Sequence, residues 1–226
     1  MGPSHHLRIE LPYRRSPIDR LLEAVALPLG ALLSLLPPRR EVVDEQVRAL
    51  LGEVPAGFHR RIAHTALREI GRLLTGGWSR LDLSPLVHLS DNFWRQDGPV
   101  LFLSMHHGQW EWLAGILDRL RPGALGVARS PAHPLGRRLL GWIRSHTGQR
   151  MAYDLDSVRA GREQLEAGGL VAFLADQRPP GASRPGTWMG RPTDVSRLPE
   201  WWGKGLNVAI WTGVLHPDRD RYVLEL

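Results

Sequence analysis

Cysteine is absent from this 226-residue chain. Its absence excludes a disulfide framework and thiolate chemistry, and it is compatible with the cytosol. Low-complexity runs and internal repeats are also absent, and the apolar share of 42% is typical of an ordinary globular protein. The length fits one α/β domain with a small N-terminal appendage.

Lysine is almost missing too, because Lys204 is the one lysine among 29 basic residues and the net charge is +6. Guanidinium forks bind phosphate and carboxylate groups better than ammonium does. This excess of arginine over acidic residues therefore predicts an anionic partner: a membrane surface, a phospholipid, nucleic acid or an acidic carrier. We expect no nucleic-acid partner, since the arginines are scattered and no nucleic-acid motif is recognised.

Long apolar runs are lacking as well. The uncharged run Ala24–Leu36 has 13 residues, whereas a spanning helix needs about 20 apolar residues. We therefore interpret residues 19–36 as an interfacial or re-entrant helix, kinked by Pro28 and flanked by arginines. A buried core helix is the alternative, and no small-residue cleavage site supports a signal peptide. Nine tryptophans against four phenylalanines also suit a membrane interface, although core packing explains a share of them.

Strand and helix patterns alternate through most of the chain. Residues 1–18 are polar and proline-punctuated, and we expect them to be weakly ordered. Helices follow over about 41–51 and 57–75. Strands are then expected at 100–104, 124–128, 170–174, 207–214 and 221–226, with helices near 109–120, 133–147, 157–167 and 194–203. This order predicts an α/β fold with a largely parallel sheet flanked by helices, comprising residues 41–226, after an N-terminal arm and membrane-associating helix at 1–40.

The stretch Pro99–Leu120 concentrates the polar chemistry. It reads as a buried strand, a turn with His106 and His107, and a helix that carries Glu111. His106 and Glu111 are five residues apart, about 140° on a continuous helix, so His106 must lie in the turn if the two are to meet. The flexible Gly108 permits that bend. A histidine oriented by a carboxylate is a general base suited to acyl transfer to a hydroxyl.

His107 is the rival base, since it lies four residues before Glu111 and would share its helical face. Residue types and spacing alone do not choose between the two histidines. A zinc site is disfavoured, because no third ligand recurs at a regular spacing. The alternative to catalysis is a structural histidine–carboxylate pair.

The segment HHGQWE resembles the H-x-G-N-W-E signature of the bacterial lipid A late acyltransferase family, a branch of the His-x4-Asp/Glu membrane acyltransferases. Further segments are similar in order and spacing to that family over roughly residues 20–226: RSPAHPL from Arg129, RSHTG from Arg144, LADQR from Leu174 and WMGRP from Trp188. Gln109 and His133 stand where the family commonly has asparagine. Family members usually continue beyond the strand at 222–226 into a tryptophan-rich tail, so we expect either a short variant or a chain that continues further.

The resemblance implies roles for particular residues. It makes His106 the catalytic base and Glu111 the carboxylate that orients it, and it places His107 at a variable position. Substrate-binding residues would be Arg129, Arg144, Asp176, Gln177, Gly190 and Arg191. Backbone amides near Gly108 and Gln109 are candidates for the oxyanion site. Surface roles for the two arginines, loop capping for Asp176 and a tight turn at Gly190 are the alternatives.

What the resemblance implies overall is a lipid acyltransferase at the cytoplasmic face of the inner membrane. It would move a fatty acyl group from an acyl carrier protein or coenzyme A thioester to a hydroxyl of a glycolipid or lysolipid. No bound cofactor and no metal are expected, and the oligomeric state is not predicted. The alternative is a non-catalytic lipid-binding or scaffold protein with the same fold.

Overall fold

The chain forms two compact units in a computed structural model that describes residues 7–35, 40–87, 98–177, 181–188 and 190–226. Residues Met1–Arg14 and Leu81–Leu226 form the α/β unit, and Arg15–Arg80 form the helical unit. The division therefore falls at residues 15 and 80, whereas the sequence suggested one near residue 40. The difference arises because the first strand pairs with the last strand of the chain.

The helical unit contains helices α1 (Pro17–Leu33), α2 (Arg40–Leu51) and α3 (Phe58–Leu74). A capping box fixes the start of α1: Asp19 accepts the backbone N–H of Ser16 at 2.7 Å, and the Ser16 hydroxyl faces the N–H of Asp19. The helix continues through Pro28. Within the described ranges, no helix has both the length and the apolar character needed to cross a bilayer.

Helices α1 and α3 pack against each other around buried charges. Asp19 and Arg72 are each 1% exposed, and Arg72 Nε lies 3.6 Å from Asp19 Oδ1. Arg80 Nε approaches the other carboxylate oxygen to 3.4 Å. This ion cluster ties the first turn of α1 to α3, while many of the large apolar side chains of α1 are exposed. The exposed side chains of α1 include Ile18, Leu21, Val25, Leu27, Leu29, Leu32 and Leu33.

The α/β unit is built on a parallel sheet, which confirms the predicted fold class. Its strands are β2 (Val100–Ser104), β3 (Leu125–Ala128), β4 (Arg150–Tyr153), β5 (Leu170–Leu174) and β8 (Ala209–Thr212). They lie in the order β4-β3-β5-β2-β8, and every neighbouring pair is parallel. Their carboxyl ends therefore share one edge of the sheet, where open α/β sheets place their sites.

Helices cover both faces of this sheet. On one face lie α5 (Trp110–Leu120) and α6 (Pro134–Thr147), and on the other lie α7 (Asp154–Glu166) and α8 (Leu198–Gly203). Side chains alternate along each strand, so Leu101 and Val171 join Leu165 and Trp202 in the core beneath α7 and α8. The neighbouring residues Phe102 and Ala172 face α5 and α6.

A second, antiparallel sheet contains β1 (Arg8–Pro12), β9 (Val214–Asp218) and β10 (Arg221–Glu225) in the order β1-β10-β9. Two expectations were wrong here. Residues 8–12 form a strand that pairs with β10 and buries Leu11 fully, and 221–225 belong to this sheet and not to the parallel one. Tyr13 stacks on Trp112 with ring centroids 6.1 Å apart, which joins this sheet to α5.

Two further strands form a hairpin, β6 (Ser183–Trp188) and β7 (Arg191–Ser196). The sequence indicated a helix at 194–203, but β7 continues to residue 196 and α8 begins at Leu198. Pro199 lies in the first turn of α8, where proline is well tolerated. A short helix, α4 (Ser84–Val87), precedes the central sheet.

Candidate active site

His106 and Asp176 meet at the carboxyl edge of the parallel sheet. Strands β2 and β5 are neighbours in a register that pairs Ser104 with Leu174. His106 and Asp176 each lie two residues beyond those paired positions, so adjacent strands deliver them side by side. Asp176 Oδ1 lies 2.8 Å from His106 Nδ1, and Oδ2 accepts the His106 backbone N–H at 3.0 Å. One carboxylate thus holds both the backbone and the ring of the histidine.

The other ring nitrogen of His106 faces a more open environment. The histidine side chain is 30% exposed, and Gln177 Nε2 lies 3.3 Å from His106 Nε2. The Trp110 ring packs against the imidazole at an interplanar angle of 60°, with the ring centroids 5.2 Å apart. A carboxylate at Nδ1 favours the tautomer with its proton on Nδ1. Nε2 is then the atom that can accept a proton from a substrate.

Glu111 makes no hydrogen bond to His106, which corrects the expected pairing. Its carboxylate is held by Arg144, whose Nη2 and Nε donate to the two oxygens at 2.8 and 2.9 Å. The two side chains are 8% and 11% exposed, and a carboxylate this deeply placed needs a charged partner. Because α5 begins at Trp110, Glu111 lies in its first turn beside α6, whereas His106 remains in the preceding loop.

Arg144 is therefore an internal ion-pair partner, where the sequence suggested a substrate ligand. Its Nη1 donates to the Tyr153 hydroxyl at 2.9 Å. Burial by itself disfavours the charged guanidinium, but the hydrogen bonds and charge of Glu111 outweigh burial and raise the pKa of Arg144 above its usual value. Gln149 adds a hydrogen bond from its side-chain amide to the backbone carbonyl of Glu111. These hydrogen bonds connect α5, α6 and β4 through the side chain of Arg144.

The turn between His106 and α5 is tied to the antiparallel sheet. Gln109 donates its backbone N–H to the Leu215 carbonyl at 2.9 Å, so this amide is engaged and the expectation that it stabilises an oxyanion is not supported. Gly108 has φ of +59°, and a Cβ there would lie 2.0 Å from the Leu215 oxygen. Only glycine fits this approach. Trp110, whose ring contacts His106, is the first residue of α5, and the first amides of a helix have no partner within the helix.

His107 points toward a different group from His106. Its ring lies 6.0 Å from that of His216 in β9, and His216 Nε2 is 3.4 Å from a Glu225 carboxylate oxygen. Solvent reaches one side of His107, yet partial burial and then the neighbouring His216 lower the pKa of His107. Among the described side chains, no group of three or more histidines and carboxylates is arranged to hold a metal ion.

The other predicted binding residues lie in separate places. Arg129 follows β3 and is exposed beside Asp154, whose pKa is lowered by hydrogen bonds from Ser130 and further by the charge of Arg129. Gly190, with φ of +77°, lies in the turn of the β6–β7 hairpin, and Arg191 begins β7. Of the predicted substrate ligands, the structure brings Asp176 and Gln177 to His106.

An apolar pocket of about 60 Å³ lies between the sheet and helices α5 and α6. Three of its lining residues adjoin the His106–Asp176 pair: Trp110 contacts the imidazole, and Ser104 and Leu174 precede the two residues by two positions. The rest of the lining is mainly apolar or small and includes Phe102, Leu113, Leu117, Gly126, Ala128 and Ala172. Glu111 and Arg144 form a charged part of the wall.

Sequence reasoning missed the contact of Asp176 with His106, the contact of Trp110 with the same ring and the hydrogen bond of Tyr153 to Arg144. A signal for Asp176 was present, because His106 and Asp176 each follow an apolar strand by two residues. Two such strands need only be neighbours and in register for these residues to meet. Tyr153 had no comparable signal, since β4 was not predicted as a strand.

Comparison with known proteins adds no relative to this description. No protein-family model matches the chain, and a search of curated proteins found no match. The resemblance to the late acyltransferases therefore rests on the short motifs quoted above.

Proposed function

We propose that this protein transfers a fatty acyl group from a thioester to a hydroxyl of a glycolipid or lysolipid at a membrane surface. The observation that carries the proposal is the His106–Asp176 pair, with Nδ1 and Oδ1 2.8 Å apart, beside an apolar pocket. The pair supplies a base, and the pocket supplies an environment for an alkyl chain. The motif resemblance supports the same reaction and the same base, His106, although it implies Glu111 as the partner carboxylate.

In the proposed reaction, His106 Nε2 accepts the proton of the acceptor hydroxyl while the hydroxyl oxygen attacks the thioester carbonyl. The tetrahedral intermediate then expels the thiolate as the carbon–sulfur bond breaks. The thiolate takes the proton from the imidazolium and leaves as a free thiol, so protons and charge balance. Asp176 keeps the imidazole in the required tautomer and stabilises the imidazolium that forms between these steps. No metal ion or bound cofactor takes part.

The developing oxyanion needs donors at the same edge of the sheet. The proposed donor is the N-terminal amide of α5 at Trp110, a choice supported by the contact of the Trp110 ring with the histidine ring. Gly108 holds this helix start in position through its close approach to Leu215. In this proposal Glu111 and Arg144 line the pocket. Their ion pair positions α5, and they exchange no protons with the substrate.

The acyl chain of the donor is assigned to the pocket under α5. Small residues on this face of the sheet, among them Gly126, Ala128 and Ala172, leave the space that larger side chains would fill. At about 60 Å³ the pocket holds only part of a fatty acyl chain, so the rest must lie outside it or widen it. The carbonyl end of the chain would then lie near His106.

Membrane association is supported by the outer face of α1, which exposes leucines, isoleucine and valine. Exposed apolar patches of this kind commonly mark interaction surfaces, and the net charge of +6 suits anionic lipids. Because acyl thioesters are made in the cytosol, the proposed location is the cytoplasmic face of the inner membrane. The donor is an acyl carrier protein or coenzyme A thioester.

The test is an acyl-transfer assay with the purified full chain in detergent. Labelled acyl-carrier-protein and acyl-coenzyme-A thioesters are incubated with a lipid extract, and mass spectrometry separates new lipid esters from free fatty acid. The proposal predicts ester formation that is lost in His106→Ala and retained in His107→Ala, with both variants folded by circular dichroism. Thioester hydrolysis without ester formation, or lipid binding with no chemistry in any preparation, would refute it.

A further inference from the structure

Helix α6 carries an exposed apolar stripe on the α/β unit. Leu135, Leu139 and Trp142 are 67%, 43% and 45% exposed. At about 100° per residue their positions fall within about 60° of one another around the helix. The side chains of Ile143 and Thr147, in contrast, face inward and are buried. Helix α6 therefore has a buried inner face and, beside it, an outer apolar stripe that no described residue covers.

The chain segment that carries this stripe has charged side chains of one sign. From Arg119 to Tyr153 the sequence contains seven arginines and no aspartate or glutamate. Four of the seven donate hydrogen bonds within the protein: Arg144 to Glu111, Arg121 and Arg137 to backbone carbonyls, and Arg150 to Gly123 and Gln164. Arg137 and Arg138 lie on α6 itself and are exposed. An apolar stripe flanked by arginines is complementary to an anionic lipid surface, where both features contribute to binding.

The position of α6 relates this surface to the candidate active site. The helix begins at Pro134, six residues after β3 ends, so its first turn lies at the carboxyl edge of the sheet, as His106 and Asp176 do. Leu155, 87% exposed, follows β4 at the same edge. The Ser130 backbone N–H donates to Asp154 at 3.0 Å and connects the segment before α6 to the start of α7. Apolar exposure is thus concentrated near the reacting edge.

We propose that the outer face of α6, defined by Leu135, Arg138, Leu139 and Trp142, docks on a bilayer that contains anionic phospholipid. This contact belongs to the α/β unit and is separate from that of α1. An acidic carrier protein would use the arginines, but it gives no reason for three large apolar side chains in one stripe. The choice of a lipid ligand rests on the proposed function, because the acceptor hydroxyl must reach His106 from the membrane.

The test uses the absence of cysteine, which makes any introduced cysteine a unique labelling site. Leu139→Cys is labelled with an environment-sensitive nitrobenzoxadiazole dye, and Arg159→Cys on α7, whose native side chain is 78% exposed, is the matched control. On vesicles of equimolar phosphatidylglycerol and phosphatidylcholine, the dye at 139 should shift to the blue and brighten, while the dye at 159 should not. Vesicles of phosphatidylcholine alone should give a much smaller response.

Three results would overturn the proposal. The first is vesicle sedimentation of the labelled protein with no response at 139, which would assign binding to other elements such as α1. The second is a response to acyl carrier protein but not to vesicles, and the third is a response to protein concentration alone. In support, Arg138→Gln should weaken vesicle binding about fivefold. Neither readout requires catalysis, so a failed acyl-transfer assay leaves this test intact.

Discussion

At the scale of single residues, the central feature is that His106 pairs with Asp176 and not with Glu111, the partner expected from the sequence. The motif resemblance chose His106 over His107, and that choice stays a prediction, whereas the spacing argument put His106 in the turn before a helix, where the structure has it. It assigned Glu111 as partner because the two lie close in the chain. The structure pairs His106 with Asp176, 70 residues away, because neighbouring parallel strands in register bring together residues that are distant in sequence. Local spacing carries no information about which strands are neighbours.

His107 gives a pH-dependence prediction at this scale. Its pKa lies below the ordinary value of 6.5, first through burial and then through His216, while Glu225 opposes the shift. The unfolded chain therefore binds a proton at this site more readily than the folded chain does. The contribution of neutral His107 to the free energy of unfolding should be fully present above about pH 6.5. It should be lost as the pH falls through the folded-state pKa of His107.

Urea unfolding at several pH values between 5 and 7 checks this prediction against His107→Gln, which cannot take up the proton. The variant should lose less stability than the wild-type protein over this range. An NMR titration in which the His107 ring changes charge above pH 6.5 would contradict the assignment. Loss of activity in a folded His107→Gln protein would also contradict the proposal that His106, and not His107, is the catalytic base.

At the scale of elements, the pocket depends on the match between one sheet face and two helices. Strands β2, β3 and β5 were predicted because they are short apolar runs between helical patterns. Which face would be lined by small residues follows from alternation once the strands are known. The pairing of α5 and α6 through Glu111 and Arg144 was not predictable, because it depends on β3 lying between β4 and β5 in the sheet.

Filling the pocket should change the preference for acyl chain length. Ala172→Leu places a larger side chain on the face lined by Phe102 and Leu174. The kcat/KM for a long-chain thioester should fall about tenfold or more relative to a short-chain one, since a few methylene groups in an apolar pocket are worth this much. The ratio between the two donors in the same preparation is the internal control. An unchanged ratio would contradict the proposal that this pocket binds the acyl chain.

At the scale of the whole molecule, the chain is divided differently from what composition suggested. The polar, proline-punctuated N-terminal segment was expected to be weakly ordered, but residues 8–12 complete a sheet with the C-terminal strand. Composition failed here because only alternate residues of the segment need to be apolar: Ile9, Leu11 and Tyr13 are buried while their neighbours are exposed. The α/β class itself was predictable, because it rests on the order of many elements.

Leu11→Ala should therefore cost about 2–5 kcal/mol of unfolding free energy, since it removes a fully buried side chain. Arg8→Ala on the same strand is the matched control, and it should cost under about 1 kcal/mol because its ion pair with Asp218 is exposed and 3.9 Å long. Urea unfolding monitored by tryptophan fluorescence measures both. Equal, negligible effects would mean that β1 is not part of the folded core.

The most direct test of the account compares Asp176→Asn with Glu111→Gln in the acyl-transfer assay. Asp176→Asn should lower kcat by about 10²–10⁴ with little change in KM or thermal stability, because it removes the group that sets the tautomer and charge of His106. Glu111→Gln should lower the thermal midpoint, since it leaves Arg144 without its charged partner, while the folded fraction keeps kcat within about tenfold of wild type. Full activity in Asp176→Asn, with kcat abolished in a folded Glu111→Gln protein, would contradict the assignment of Asp176 as the partner of His106.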